Sequence, residues 1–96
     1  MITDVLSALS EPTRLAALHL LSDGKEHCVC ELMATLQTTQ SRMSRHMKTL
    51  LSAGVVVGRR DAQWVRYRLN SNLSTEYQNI INAVLAVDIS QQRNAA

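Results

Sequence analysis

The feature that most constrains this chain is a pair of short helical patterns separated by three polar residues. Residues 28–36 repeat apolar side chains at i, i+3 and i+7, and the pattern breaks at residues 37–39. The next segment runs to Gly54, with Thr38 or Thr39 as its N-cap, and places an apolar face opposite a face of arginines and hydroxyls. Two short helices joined by a tight turn predict a helix-turn-helix. The apolar residues of the two patterns are Val29, Leu32, Leu36, Met43, Met47, Leu50 and Leu51.

Two helices are predicted before this pair. Ile2 to Leu9 form a short amphipathic helix. Ser10 is the predicted N-cap of a second helix, which has Glu11 and Pro12 in its first turn and continues from Arg14 to Ser22. His19 lies beside the apolar stripe of the second helix, where we expect a partly buried structural histidine rather than a metal ligand.

A hairpin and a final helix follow the pair. VVVGRR and QWVRYRLN alternate as two strands joined at Asp61-Ala62, and a last helix begins near residues 71–74. The last helix is too apolar for a lone terminal helix on a small domain, so we expect it to pair with its copy in a second subunit, together with the first helix. The sequence thus predicts a mainly α fold with a small β-hairpin, dimeric through its N- and C-terminal helices.

The charge distribution favours a phosphate-bearing partner. The net charge is only +2, but residues 42–68 hold seven cations against a single acid, Asp61. An ordinary solvated face mixes both signs, so this block predicts nucleic-acid binding. The cations are Arg42, Arg45, Lys48, Arg59, Arg60, Arg66 and Arg68.

Length and composition limit the other classes of protein. Ninety-six residues predict one domain, 1–96, with a frayed tail at 91–96. No run approaches the roughly 18 apolar residues of a membrane span, and the N-terminus has no leader pattern, so we expect a cytoplasmic protein. The two cysteines are separated by one residue, and a bridge between them would crosslink nothing distant, which predicts free thiols.

These segments together resemble a known family. LSALSEPTRLAALHLL, CVCEL, SRMSRHMKTLLSAGVV and GRRDAQWVRYRL are similar, over nearly the whole chain, to the ArsR/SmtB family of winged-helix metal-responsive repressors. The resemblance implies a winged helix-turn-helix that binds double-stranded operator DNA as a homodimer. CVCEL resembles the branch that senses arsenic and antimony, whose members leave DNA when As(III) or Sb(III) binds.

The chain departs from this family at two positions. Met33 stands where the arsenic-sensing branch commonly has a third cysteine. Ala62 stands where the wing tip usually has glycine, which leaves Asp61 as the alternative for a positive φ. The last helix also lacks the histidines that other branches use to bind zinc, so no zinc site is expected there.

Cys28 and Cys30 are the predicted inducer site. On a regular helix, residues i and i+2 point to nearly opposite sides, so sharing one thiophilic ion would require the helix start to unwind. Such a two-state element would let the ion bias DNA binding. The third donor to the ion stays open among His27, Met33, water, a small cellular thiol and a group from the other subunit. Of these, Met33 is expected to pack in the core rather than to bind the ion.

For DNA, the resemblance implies roles for the second helix of the pair and for the wing. Arg45 is the best candidate for a guanine edge, since it lies mid-face and its guanidinium can bind O6 and N7 together. His46 lies at the edge of the apolar face, where a phosphate or structural partner is expected. The full set is Gln40, Ser41, Arg42, Ser44, Arg45 and His46, with Arg59, Arg60, Arg66 and Arg68 on the flanking backbone.

Two alternatives use the same thiols. One is a redox-sensing repressor in which oxidation joins the cysteines, and the other is a sensor of another thiophilic metal such as Cd(II). An enzyme is disfavoured, because His27 adjoins Cys28 without a glycine-rich anion hole or a further acid/base group. No organic cofactor is expected.

Overall fold

The computed structural model describes the backbone of residues 1–95 and the side chains of residues 1–88. Five helices and three strands follow one another along the chain. They are α1 (Ile2–Leu9), α2 (Pro12–Leu21), β1 (His27–Cys28), α3 (Val29–Leu36), α4 (Gln40–Ser52), β2 (Val56–Asp61), β3 (Trp64–Leu69) and α5 (Thr75–Ala95). This is a winged helix-turn-helix, with α3 and α4 as the helix pair and the β2–β3 hairpin as the wing.

The cap of α2 corrects one prediction. Glu11, not Ser10, is the N-cap, and its carboxylate accepts hydrogen bonds from the backbone N–H groups of Thr13 at 2.8 Å and Arg14 at 3.0 Å. Ser10 instead ends α1, where its hydroxyl donates to the carbonyl oxygen of Ser7 at 2.7 Å. A carboxylate that accepts hydrogen bonds from two backbone N–H groups is a stronger cap than the hydroxyl of Ser10 would be.

The turn between α3 and α4 forms as predicted. Gln37 takes the left-handed conformation at φ 53°, which ends α3, and Thr39 caps α4 by accepting from the N–H of Arg42 at 3.2 Å. Met43, Met47 and Leu50 are fully buried, which confirms most of the predicted apolar face. Leu51 is 43% exposed, so its assignment to that face is wrong.

The sheet has one strand more than the sequence predicts. Its order is β1-β3-β2, all antiparallel, and the short strand β1 pairs His27 with Tyr67 and Cys28 with Arg66. At the wing tip Ala62 itself has the positive φ, 56°, while Asp61 stays in β2 opposite Trp64. The expectation that Asp61 would take over this conformation is therefore wrong.

The core lies between α1, α2, α3, α4 and the sheet, and α5 adds Ile81 and Leu85. His19 is partly buried and its Nε2 lies 2.7 Å from Asp88 Oδ2, which joins α2 to α5 and confirms its structural role. The backbone of α5 is helical as far as Ala95. The side chains of residues 89–96 and the backbone of residue 96 lie outside the described residues, so the frayed tail at 91–96 stays a prediction. None of the described helices has the length and hydrophobicity of a membrane span.

Candidate nucleic-acid interface and cysteine site

The two cysteines lie together at the start of α3. Cys28 is the N-cap, with extended φ and ψ of −65° and 142°, and Cys30 lies within the first turn of the helix. Their Cα atoms are 5.1 Å apart and a disulfide bond joins their sulfurs, so the expectation of free thiols is wrong for this state. Cys28 is buried and Cys30 is partly buried.

This position also corrects the predicted unwinding. The argument that residues i and i+2 point apart holds only inside a helix, and Cys28 precedes it in a β-type conformation. Its sulfur accepts a hydrogen bond from the N–H of Cys30 at 3.2 Å, and the N–H of Cys28 donates to Glu31 Oε1 at 3.3 Å in a capping box. The sulfurs therefore share one side while α3 stays intact.

His27 is engaged elsewhere. Its Nε2 lies 2.9 Å from Asp23 Oδ2 and its Nδ1 lies 3.2 Å from Glu31 Oε2. Burial alone would lower the pKa of His27, but the hydrogen bonds to Asp23 and Glu31 raise it above its ordinary value. Both ring nitrogens of His27 are thus engaged by carboxylates rather than directed at the cysteine pair.

Among the described residues, no third metal-binding side chain is grouped with the cysteine pair. Met33 is partly buried against the core, as expected for packing. In residues 1–88, no three His, Cys, Asp or Glu side chains are grouped as metal ligands would be. The pair alone therefore offers two soft donors, and they become available when the disulfide is reduced.

The outward face of α4 presents the predicted DNA-reading groups. Arg42 and Arg45 are exposed on this face, and Lys48 follows one turn after Ser44. The N-terminus of α4 adds the partial positive charge of its free N–H groups. Of the predicted set, the exposed residues are Gln40, Ser41, Arg42 and Arg45, and Ser44 and His46 are partly buried.

His46 faces the N-terminus of α2 rather than the exposed face. Its Nδ1 lies 3.1 Å from Arg14 Nη1 and 3.5 Å from Glu11 Oε2. Arg14 also donates from Nε to the carbonyl oxygen of Ala8 at 2.6 Å, so one guanidinium links α1, α2 and α4. Burial alone would raise the pKa of Glu11, but the N–H donors of Thr13 and Arg14 hold it below its ordinary value. The sequence did not predict this cluster of Glu11, Arg14 and His46, although it predicted a helix start at Ser10-Glu11-Pro12, where the cluster lies.

The four predicted wing arginines differ in their partners. Arg59 Nη2 lies 2.8 Å from Glu26 Oε1, and Arg66 Nε lies 2.7 Å from Asp61 Oδ2. Arg68 donates to the carbonyl oxygen of Leu69 at 3.3 Å, and Arg60 has no ion-pair partner within the part of the chain that is described. The predicted basic ribbon is therefore half neutralised by carboxylates.

The cysteine site and the wing belong to one sheet. Cys28 pairs with Arg66 in the β1–β3 ladder, and β3 pairs with β2 along its whole length. Cys28 is thus linked to the wing by the hydrogen bonds of the sheet, and to α4 through the packing of α3 against α4.

Comparison with known proteins gives a consistent result. The profile of the family described as "Bacterial regulatory protein, arsR family" matches residues 11–57. The chain is 42% identical, over 82 residues, to the arsenic resistance transcriptional regulator ArsR2 of Pseudomonas putida. This match covers 85% of this chain and 71% of the relative. It is 36% identical, over 74 residues, to the arsenical resistance operon repressor of Escherichia coli, covering 77% of this chain and 63% of that relative.

A solved regulator shares the fold. HlyU from Vibrio cholerae N16961 superposes with a TM-score of 0.75 at 34% identity, covering 90% of this chain and 89% of that one. A second structure of it, described as reduced HlyU, gives a TM-score of 0.74 and covers 90% and 86% of the two chains. The similarity extends over the helix pair and the wing together.

Proposed function

Because the chain belongs to the ArsR family of bacterial regulatory proteins, we propose that it binds operator DNA as a homodimer and leaves it when As(III) or Sb(III) binds Cys28 and Cys30. It is a winged helix-turn-helix transcriptional repressor of the ArsR type rather than an enzyme. A repressor acts where its operator is, so we place it in the cytoplasm.

The observation that carries the inducer proposal is the placement of both sulfurs on one side of the start of α3. Reduction of the disulfide by two molecules of a small cellular thiol, which are themselves joined as a disulfide, gives two thiols that release their protons when they bind one thiophilic ion. Soft thiolates select soft ions over hard ones. The third donor comes from outside this pair, for example from solvent or the same small thiol, because His27 is held by Asp23 and Glu31.

The DNA-binding proposal rests on α4 and the wing. We assign base contacts to the exposed N-terminal half of α4, with Arg45 at a guanine edge. His46 contributes indirectly, because its contacts with Arg14 and Glu11 fix α4 to α2. The remaining helix contacts, to bases and phosphates, come from Gln40, Ser41, Arg42 and Ser44, and the wing contacts, to phosphates, come from Arg59, Arg60, Arg66 and Arg68.

The dimer proposal rests on apolar surface along α1 and α5. Ile2 and Leu6 on α1 are 38% and 49% exposed, and Ile2 also lines an apolar groove with Tyr77 and Ile80 of α5. Surface of this kind on a domain of this size is typical of an interface between subunits. A two-fold dimer would place two α4 helices about 34–36 Å apart, one turn of DNA.

The disulfide favours a second candidate function. Since Cys28 and Cys30 are bonded here, peroxide could convert the dithiol to this disulfide, with the peroxide reduced to water or the corresponding alcohol. The protein would then report oxidation instead of a metalloid.

One titration separates these functions. Reduced protein is bound to a fluorescent duplex from its own upstream region, and anisotropy is followed while As(III), Sb(III), Cd(II), Zn(II) and peroxide are added separately. The proposal predicts release by As(III) and Sb(III) and retention with Zn(II). Release by peroxide alone, reversed by a dithiol reductant, supports the redox function, and release by Cd(II) alone supports a different metal. Failure to bind the duplex at all contradicts the repressor proposal.

A further inference from the structure

Arg59 of the wing is held by a carboxylate from outside the wing. Its Nη2 lies 2.8 Å from Glu26 Oε1, and its Nε lies 3.0 Å from Oε2 of the same side chain. This is a two-point contact between a planar guanidinium and a planar carboxylate, the geometry that gives Arg its preference for such groups. The two residues are 33 positions apart, so the pair depends on the tertiary fold.

The fold fixes Glu26 in this place. Glu26 directly precedes β1, whose His27 pairs with Tyr67 of β3, and β3 pairs Arg66 with Arg59 of β2. Arg59 and Arg66 are thus directly opposite like charges, an arrangement that destabilises a ladder unless other groups offset it. Glu26 offsets one of them and Asp61 the other.

The same guanidinium geometry is what a DNA phosphate requires. The Glu26 carboxylate occupies the Nε–Nη2 edge of the Arg59 guanidinium, which is one of the two edges that can hold a phosphate through two N–H groups. A phosphate must therefore displace Glu26 to use this edge of Arg59, and at the other edge it would meet a guanidinium whose charge the carboxylate already offsets.

We propose that Glu26 is a residue that restrains DNA binding, because its carboxylate occupies the Arg59 guanidinium and withholds that cation from the phosphate backbone. The inference rests on the proposed DNA-binding function and adds a determinant of its strength. Glu26 lies two residues before Cys28, on the segment that enters β1. The contact that restrains Arg59 is therefore next to the cysteine pair in the chain.

The test uses the full chain in its reduced form and a labelled mixed-sequence duplex of about 30 base pairs, since phosphate binding needs no operator. Four proteins are compared by anisotropy over a range of salt concentrations: the parent, Glu26→Gln, Arg59→Gln and the double variant. Glu26→Gln keeps the size of the side chain and removes its charge. Circular dichroism melting verifies that each variant is folded.

For each bound chain, Glu26→Gln should raise the affinity about eightfold at about 0.1 M salt and steepen the salt slope by about 0.9, the effect of one added phosphate contact. Arg59→Gln removes one of the wing cations assigned to phosphate, so it should bind no more tightly than the parent. The double variant should match Arg59→Gln, so that the gain from removing Glu26 requires Arg59.

Three results would overturn the proposal. An equal gain from Glu26→Gln in the Arg59→Gln background means that Glu26 acts only through overall charge. Weaker binding by Glu26→Gln means that the carboxylate orients Arg59 toward DNA, and unchanged binding means that the pair does not compete with phosphate. Each of these leaves the repressor proposal intact, whereas a parent protein that binds neither this duplex nor its own upstream DNA contradicts the repressor proposal itself.

Discussion

The helix α4 and the wing carry the same kinds of charge but differ in how available it is. Arg42, Arg45 and Lys48 are exposed on α4, and within the described residues none lies at salt-bridge distance from a carboxylate. On the wing, Arg59 and Arg66 each contact an acid at 2.8 and 2.7 Å. A count of cations thus overstates what the wing can offer to DNA, and pairing decides which arginines are free.

The two regions are also held in place by different forces. The back of α4 is fully buried at Met43, Met47 and Leu50, so hydrophobic packing fixes its orientation. The wing is held by a β-ladder and by ion pairs that are exposed to solvent, where each pair contributes little and salt weakens it. We therefore expect α4 to be rigid and the wing to respond to ionic conditions.

The largest effect should come from removing the packing behind α4. Met47 is fully buried, so Met47→Ala should lower the free energy of unfolding by about 2–5 kcal/mol. Leu51 lies on the same helix but is 43% exposed, and Leu51→Ala should change it by about 0.5 kcal/mol or less. Urea denaturation of the two variants measures the contrast, and equal losses would mean that packing does not fix α4 as described.

The next effect concerns the free cations of α4. Arg45→Ala should cost about 1–3 kcal/mol in binding to the operator and should relax the sequence preference, because it removes a contact to a base edge. Anisotropy with operator and mixed-sequence duplexes gives the two affinities. If both fall by the same factor, Arg45 binds phosphate and the assignment of base reading to it is wrong.

A smaller effect separates the free and paired arginines of the wing. Arg60→Ala should weaken binding to all sequences alike and reduce the salt slope by about 0.9, as for one lost phosphate contact. The charge pattern alone predicts the same for Arg66→Ala, but Asp61 lies 2.7 Å from Arg66, so we expect less than half of that reduction. Equal slopes for the two variants would show that the ion pair opens freely on DNA.

Local sequence signals predicted the helix pair well. Thr39 was one of the two caps expected for α4, and the buried methionines follow directly from helical spacing. The wing was found from strand alternation, since β2 and β3 are consecutive and joined by a short turn. Each of these features depends on residues close together in the chain.

Features that depend on distant residues were missed. The strand β1 has two residues, too few for a pattern, and exists because β3 pairs with it nearly 40 positions later. For the same reason Cys28 was placed inside a helix, although its pairing with Arg66 keeps it extended. The pairing of Glu26 with Arg59 and the cluster of Glu11, Arg14 and His46 likewise need the tertiary fold. Spacing therefore predicted the helices and strands better than it predicted the partners of their side chains.

The cysteine pair shares a sheet with the wing but lies outside the DNA-reading face of α4, and the central claim of the account is that it binds the inducer without being needed for DNA binding. Cys28 and Cys30 lie at the start of α3, outside the exposed face of α4, so Ser at either position should leave DNA binding intact. Release by As(III) should be lost in both Ser variants, because one thiolate is too few and a hydroxyl is a hard, protonated donor.

Met33→Leu is the matched control, since Met33 packs against the core and the change nearly conserves volume. The decisive measurement is the anisotropy of upstream DNA against As(III) for reduced parent, Cys28→Ser, Cys30→Ser and Met33→Leu. The account predicts DNA binding by all four proteins and release of the parent and Met33→Leu alone. Normal release of either Ser variant would remove the cysteine pair from the mechanism, and loss of release in Met33→Leu would show that the thioether is a ligand.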